Sequence, residues 1–169
     1  MSQRLNYQQI LSKEVPHLAA LEGLVEKSGL PLNLIEMVRL KASIINGCAL
    51  CVSIHMRRLR QQGENEMRID LVSAWREAPC YTERERAIFE YTETLTRISH
   101  TQQVTDELYA LMQKHFNEKE LATLTLAIGL INLWNRFAVT FHADLGRIDQ
   151  LLAQSKLVDE RVAEQLRNA

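Results

Sequence analysis

Residues 31–62 read PLNLIEMVRLKASIINGCALCVSIHMRRLRQQ, and the two helices written in this stretch decide the fold. From about 31 to 45, apolar residues (Leu34, Ile35, Met37, Val38, Leu40, Ile44, Ile45) lie nearly all round a helix, which places it in the middle of a domain. Pro31 opens it, at a position where the missing N–H costs nothing. Asn46-Gly47 closes it, because glycine takes the left-handed conformation that ends a helix. A second helix then runs over about 48–62 and stops at Gly63.

Working outward, nearly every other segment repeats the helical spacing, with no run of period-two alternation. Residues 14–28 form a helix with Val15, Leu18, Leu21, Leu24 and Val25 on one inward stripe. Residues 65–77 form another, with Met67, Leu71, Val72 and Trp75 facing inward, and Pro79 separates the halves. Thr82 with Glu85 spells a capping box for a helix to about Ile98. Thr105 caps a helix ending near Phe116, and Asn117 with Glu120 starts a long one carrying Leu121, Leu124, Ile128, Ile131 and Trp134. A final amphipathic helix covers about 147–166. The expectation is an all-α chain, one domain over 1–169 with its core at about 14–145, built as a bundle of seven or eight helices.

Composition narrows the function classes. Hydrophobic residues are 46% and charged residues 24%, an ordinary globular balance that argues against disorder. With 20 Lys plus Arg against 21 Asp plus Glu, the net charge of -1 supplies no attraction to nucleic acid or an anionic membrane, so neither is expected as a partner. MSQRLNYQQILSKEV lacks the apolar run of a secretion signal, and a cytoplasmic protein is expected. Leu121–Phe141 is long enough to span a bilayer, but Asn132, Asn135 and Arg136 interrupt it, so it reads as a core helix. Three cysteines in such a chain do not form a structural disulfide framework, and their spacing is read as chemistry.

That chemistry lies in NGCALCVSIH, residues 46–55. Cys48, Cys51 and His55 are three and then four residues apart, so on a helix they fall within an arc of roughly 60°. Val52 and Leu59 lie beside them, while Ser53, Arg57, Arg60 and Gln61 lie opposite, which turns the reactive groups inward. The Asn46-Gly47 break puts both cysteines in the first turn, where unpaired N–H groups and the helix dipole favour a thiolate. His55 can take and return the thiol proton. A sulfenic acid on one cysteine can be captured by the other as a disulfide before it oxidises further. Glu36 shares a face with Leu32, Leu40 and Ser43; a carboxylate there needs a partner, either a proton-sharing network with His55 or a cysteine, or a plain inter-helix hydrogen bond.

The set Glu36, Cys48, Cys51 and His55 resembles the core motif of the AhpD-like alkylhydroperoxidase and carboxymuconolactone decarboxylase superfamily. The resemblance extends through LIEMVRLKASIINGCALC, WREAPCYTERERAIFEYTETLTRIS and LAIGLINLWNRFAV, covering about residues 14–145. It implies an all-helical fold, homo-oligomers that are commonly trimers or hexamers, and a thiol peroxidase cycle acting on organic hydroperoxides or hydrogen peroxide. By motif position it implies Cys51 as the sulfenic acid-forming cysteine, Cys48 as its resolving partner and proton donor, and His55 with Glu36 as the proton relay. It also implies a dithiol protein as reductant and no cofactor. Leu50 stands where better characterised alkylhydroperoxidases carry a histidine before the second cysteine, so a relay through that histidine is absent in that form.

Other readings predict different behaviour. A decarboxylase or lactone-processing enzyme of the same superfamily would use His55 or Glu36 as a base without sulfur redox. A non-enzymatic helical oligomerisation module would keep both cysteines inert. Zinc needs four tetrahedral ligands, and three donors on one helix face with a single carboxylate fit it poorly, so no metal is expected. Cys80 reads as incidental, as do His17, His100, His115 and His142. Trp134, Asn135 and Arg136 read as a core tryptophan with polar groups at an oligomer contact, and the charges of TERERAIFE as a solvated helix face.

Overall fold

Ten consecutive residues of one helix, Leu34 to Ser43, are buried, and the rest of the chain is arranged around them. The computed structural model describes residues 2–150, and the helix expected over 147–166 falls almost wholly outside the described residues. In chain order the helices are α1 (Tyr7–Ile10), α2 (Val15–Glu26), α3 (Leu32–Ile45), α4 (Ala49–Gln61), α5 (Glu66–Asp70), α6 (Glu83–Thr96), α7 (Ile98–Thr101), α8 (Asp106–His115) and α9 (Glu118–Thr140). Two 3-10 turns, Leu71–Ala74 and Leu145–Arg147, complete them, and no strand occurs among the described residues. The all-α architecture stands. The described count exceeds eight because α1, α5 and α7 have only four or five residues, too short to show a helical period.

The central α3 packs against α4, α6 and α9. One part of the core gathers Val25, Leu34, Val38, Ile88, Met112, Leu124 and Ile128, and a second gathers Met37, Leu40, Leu59, Val72, Trp75 and Phe89. A third, smaller part surrounds the cysteines, with Ala42, Leu50, Ile131, Ala138 and Ile148 against Cys48 and Cys51. α9 is long and apolar enough to cross a membrane by length and composition, yet Leu121, Leu124, Ala127, Ile128, Leu130 and Ile131 are buried within the bundle, as expected of a core helix.

The ends of the helices follow their local sequence. Thr82 with Glu85, and Asn117 with Glu120, form reciprocal capping boxes, while the Thr105 hydroxyl accepts from the Leu108 N–H. At the end of α3, Gly47 has φ +65° and donates to the Ile44 carbonyl, and Cys48 N–H reaches back to the Ser43 carbonyl at 3.0 Å. This is the paired bonding of a Schellman motif, in which glycine avoids the left-handed penalty. A methyl added at Gly47 would meet nothing within 4 Å, so its cost is purely conformational. Gly47→Ala is therefore expected to destabilise the fold by about 1–2 kcal/mol in urea titration, and an unchanged midpoint would contradict this origin of the turn.

Three expectations differ from the structure. Leu21 and Leu24 are exposed, because α2 turns Val25 and the carboxylates Glu22 and Glu26 toward α3 to meet a buried arginine. Met67 is also exposed, since the chain leaves the α-helix after Asp70 and the 3-10 turn carries Val72 and Trp75 inward on a different phase. The charges of 82–90 are not simply a solvated face. Glu85 pairs with Arg68, and the Arg86 guanidinium donates to the carbonyls of Trp75, Arg76, Ala78 and Tyr81, fastening the loop before α6.

Candidate redox site

The turn that ends α3 starts α4, and Cys48 belongs to both. Its N–H closes the Schellman motif, while its Sγ is the N-cap group of α4 and accepts from the Cys51 N–H at 3.3 Å. Cys48 and Cys51 are joined as a disulfide with a Cα–Cα separation of 5.4 Å. Negative charge on either sulfur would therefore sit at the positive end of a 13-residue helix. Cys48 is 1% exposed, Cys51 6% and His55 7%, so the inward face expected from the spacing is the face observed.

Glu36, fully buried, lies against His55 across the α3–α4 interface, with Oε2 2.7 Å from Nδ1. Its other oxygen accepts from Arg39 at 2.6 Å and from Arg58 at 3.2 Å. Burial alone would push this carboxyl up; the charges of His55 and Arg39, the His55 hydrogen bond and the Arg58 charge outweigh it and hold Glu36 well below the usual carboxylate range. An ionised carboxylate can only accept, so the facing hydrogen is on Nδ1, and Nε2 is the ring nitrogen left to exchange a proton with another group.

Arg39 is the hub of this network. Only 1% exposed, it also reaches Glu26 at 2.6 Å and Glu22, and Arg58 bonds Glu26 at 3.0 Å. Burial opposes the Arg39 charge, but Glu22, Glu36 and Glu26 more than restore it, so it is a firmly held cation. The Trp134 indole N–H donates to Glu22 at 3.0 Å, which ties α9 to the same cluster. Three carboxylates and two guanidinium groups from α2, α3 and α4 thus hold the partner of His55 in one place and one charge state.

Asparagines fix the other side. The Asn46 amide donates to Asn132 and Asn135 of α9, at 3.0 and 2.9 Å, and Asn135 donates to the Ser43 hydroxyl at 3.1 Å. The turn delivering Cys48 is therefore anchored to α9. Asn135, 1% exposed, is an internal anchor here, and Arg136 is exposed. The four residues singled out from the sequence are brought together; Arg39, Arg58, Glu22, Glu26, Asn46 and Asn135 were not anticipated as part of their surroundings. A signal existed for Arg39, because a charge in a helix expected to be buried nearly all round needs buried partners. No group of three or more His, Cys, Asp or Glu side chains arranged to hold a metal occurs among the described residues. Cys80 is half-buried and unpaired.

Residues 18–94, which include Glu36, Cys48, Cys51 and His55, match the model of the carboxymuconolactone decarboxylase family. The uncharacterised protein YdfG of Bacillus subtilis is 34% identical over 139 residues, covering 82% of this chain and 94% of YdfG. The chain belongs to the carboxymuconolactone decarboxylase family. A crystal structure from Agrobacterium tumefaciens, described as a protein of unknown function and a candidate antioxidant defence protein AhpD, is 40% identical. It has a TM-score of 0.81, covering 85% of this chain and 97% of the other. A peroxidase-related protein with an alkylhydroperoxidase AhpD core from Ralstonia eutropha shares the fold at 21% identity and TM-score 0.72, covering 82% of this chain and 73% of the other. This family member is thus similar to proteins of the AhpD-like branch.

Proposed function

We propose that this protein is a thiol peroxidase that reduces organic hydroperoxides or hydrogen peroxide through Cys48 and Cys51. The observation that carries the reading is a paired dithiol at a buried helix N-terminus, one turn before a histidine whose Nδ1 faces an ionised carboxylate. In the reduced protein, His55 Nε2 takes the Cys51 proton. The Cys51 thiolate attacks the distal peroxide oxygen, the O–O bond breaks, and the alkoxide leaves as alcohol with the proton returned by His55. The Cys48 thiol then attacks the Cys51 sulfenic acid, forming the disulfide and releasing water. An external dithiol takes the disulfide back to two thiols and becomes oxidised itself.

In this scheme Glu36 orients His55 through Nδ1, and it carries no proton, because Arg39 and Arg58 help to hold it ionised. The reading includes a dithiol protein as reductant, a homo-oligomer of three or six chains, and a cytoplasmic setting where thiols are kept reduced.

The test is intact and peptide mass spectrometry of the reduced protein, seconds after one equivalent of an organic hydroperoxide. Loss of two hydrogens with a Cys48–Cys51 linkage is the expected result. Thiols that stay reduced would sink the reading and leave base chemistry by His55, as in a decarboxylase or lactone-processing enzyme.

A further inference from the structure

We propose that the recess between α6, α7 and α9 is a second ligand site, one that takes a small monocarboxylate with an apolar body of about eight carbons. The recess has a volume of about 240 Å³. An engineered cavity of about 150 Å³ takes benzene, about 25 Å³ per non-hydrogen atom, so this one suits about ten such atoms.

The chemistry of the lining sets the ligand class. Leu95, Ile98 and Ile128 supply apolar wall, and among the described residues that line the recess Arg136 is the only charged one and none is a carboxylate. Arg136 is exposed and pairs with no carboxylate among the described residues. One of its nitrogens donates to the Asn132 carbonyl at 2.7 Å, which holds the guanidinium at the rim with its remaining donors available. The Ser99 hydroxyl, also lining, makes no hydrogen bond among the described residues. A single cation beside an apolar wall selects a monoanion over a neutral or dianionic ligand.

Gly129 is the second observation. Glycine inside a helix costs about 1 kcal/mol relative to alanine, so its place in the middle of the 23-residue α9 needs a reason. Close helix packing is not the reason, since a Cβ there would meet nothing within 4 Å. The open space is the recess itself, which Gly129 lines. The site is distinct from the dithiol; Asn132 lies between them, facing the recess and accepting from Asn46 on the cysteine side.

Titration calorimetry of the full chain with octanoate tests the proposal. Saturable binding of one octanoate per chain is expected, at least about tenfold weaker for octanol and for Arg136→Gln, and lost in Gly129→Leu, which fills the recess. The reaction of Cys48 and Cys51 with hydroperoxide should be unchanged in both variants, and neither should melt below the parent, since leucine is a better helix former than the glycine it replaces. Absence of saturable binding, octanol binding as tightly as octanoate, or full affinity in Gly129→Leu would overturn the proposal. So would a changed oligomeric state in Gly129→Leu, which would make the recess a contact between copies of the chain.

Discussion

Cys51→Ser is expected to lower hydroperoxide consumption by at least about 10³-fold, since removing the attacking atom leaves only binding and orientation. A serine hydroxyl is neither ionised at neutral pH nor oxidisable to a sulfenic acid, so His55 alone cannot rescue the step. Cys48→Ser gives a different result. Serine is itself a favoured N-cap residue, so α4 should keep its start, and the variant should complete the first step and stop. Its signature is a gain of one oxygen on Cys51 after one equivalent of hydroperoxide, with no alcohol formed beyond that. The asymmetry rests on position: Cys51 is in α4 one turn from His55, whereas Cys48 is the cap, with its Sγ on the Cys51 N–H. Sulfenic acid on Cys48 in Cys51→Ser, and none on Cys51 in Cys48→Ser, would reverse the roles assigned to them.

How far a sequence shows such a site depends on whether its parts are local. Asn46-Gly47, the two capping boxes and the Cys48, Cys51, His55 face are all set by residues within one or two turns, and each is present in the structure. Glu36 was legible as a carboxylate on a buried face, but its contact with His55 depends on how α3 crosses α4, which periodicity does not encode. The same limit explains α2. Leu21 and Leu24 form a plausible apolar stripe, and the helix rotates that stripe outward because Arg39 draws Glu22 and Glu26 toward the core. Met67 shows a different limit, since the change from α to 3-10 geometry after Asp70 shifts the phase of every later side chain. Asn135 illustrates a third: an asparagine in an apolar helix marks a needed partner without saying whether Ser43 or another chain provides it.

Arg39→Met is expected to destabilise the fold by about 3–5 kcal/mol at neutral pH, because it leaves Glu22, Glu26 and Glu36 as buried or half-buried carboxylates with one guanidinium, Arg58, among them. For a domain of this length that corresponds to a fall of about 10 °C or more in Tm. Lysine should not rescue it, since its compact ammonium lacks the planar fork by which the two terminal nitrogens of Arg39 reach the separate carboxylates of Glu22, Glu26 and Glu36. The pH dependence has a definite sign. Glu36 titrates lower in the folded chain than in the unfolded one, where a glutamate titrates near about 4.3. Its contribution is therefore present above that range and is lost as pH falls toward the folded value. In Arg39→Met the carboxyl is held down less firmly, so the gap in stability between the two proteins should be widest near neutral pH and should narrow below about pH 4. Urea titrations at several pH values would measure both. A gap that is small at neutral pH, or that widens in acid, would mean that the three carboxylates are not held ionised by Arg39, and that His55 takes its orientation from something other than a fixed negative charge on Glu36.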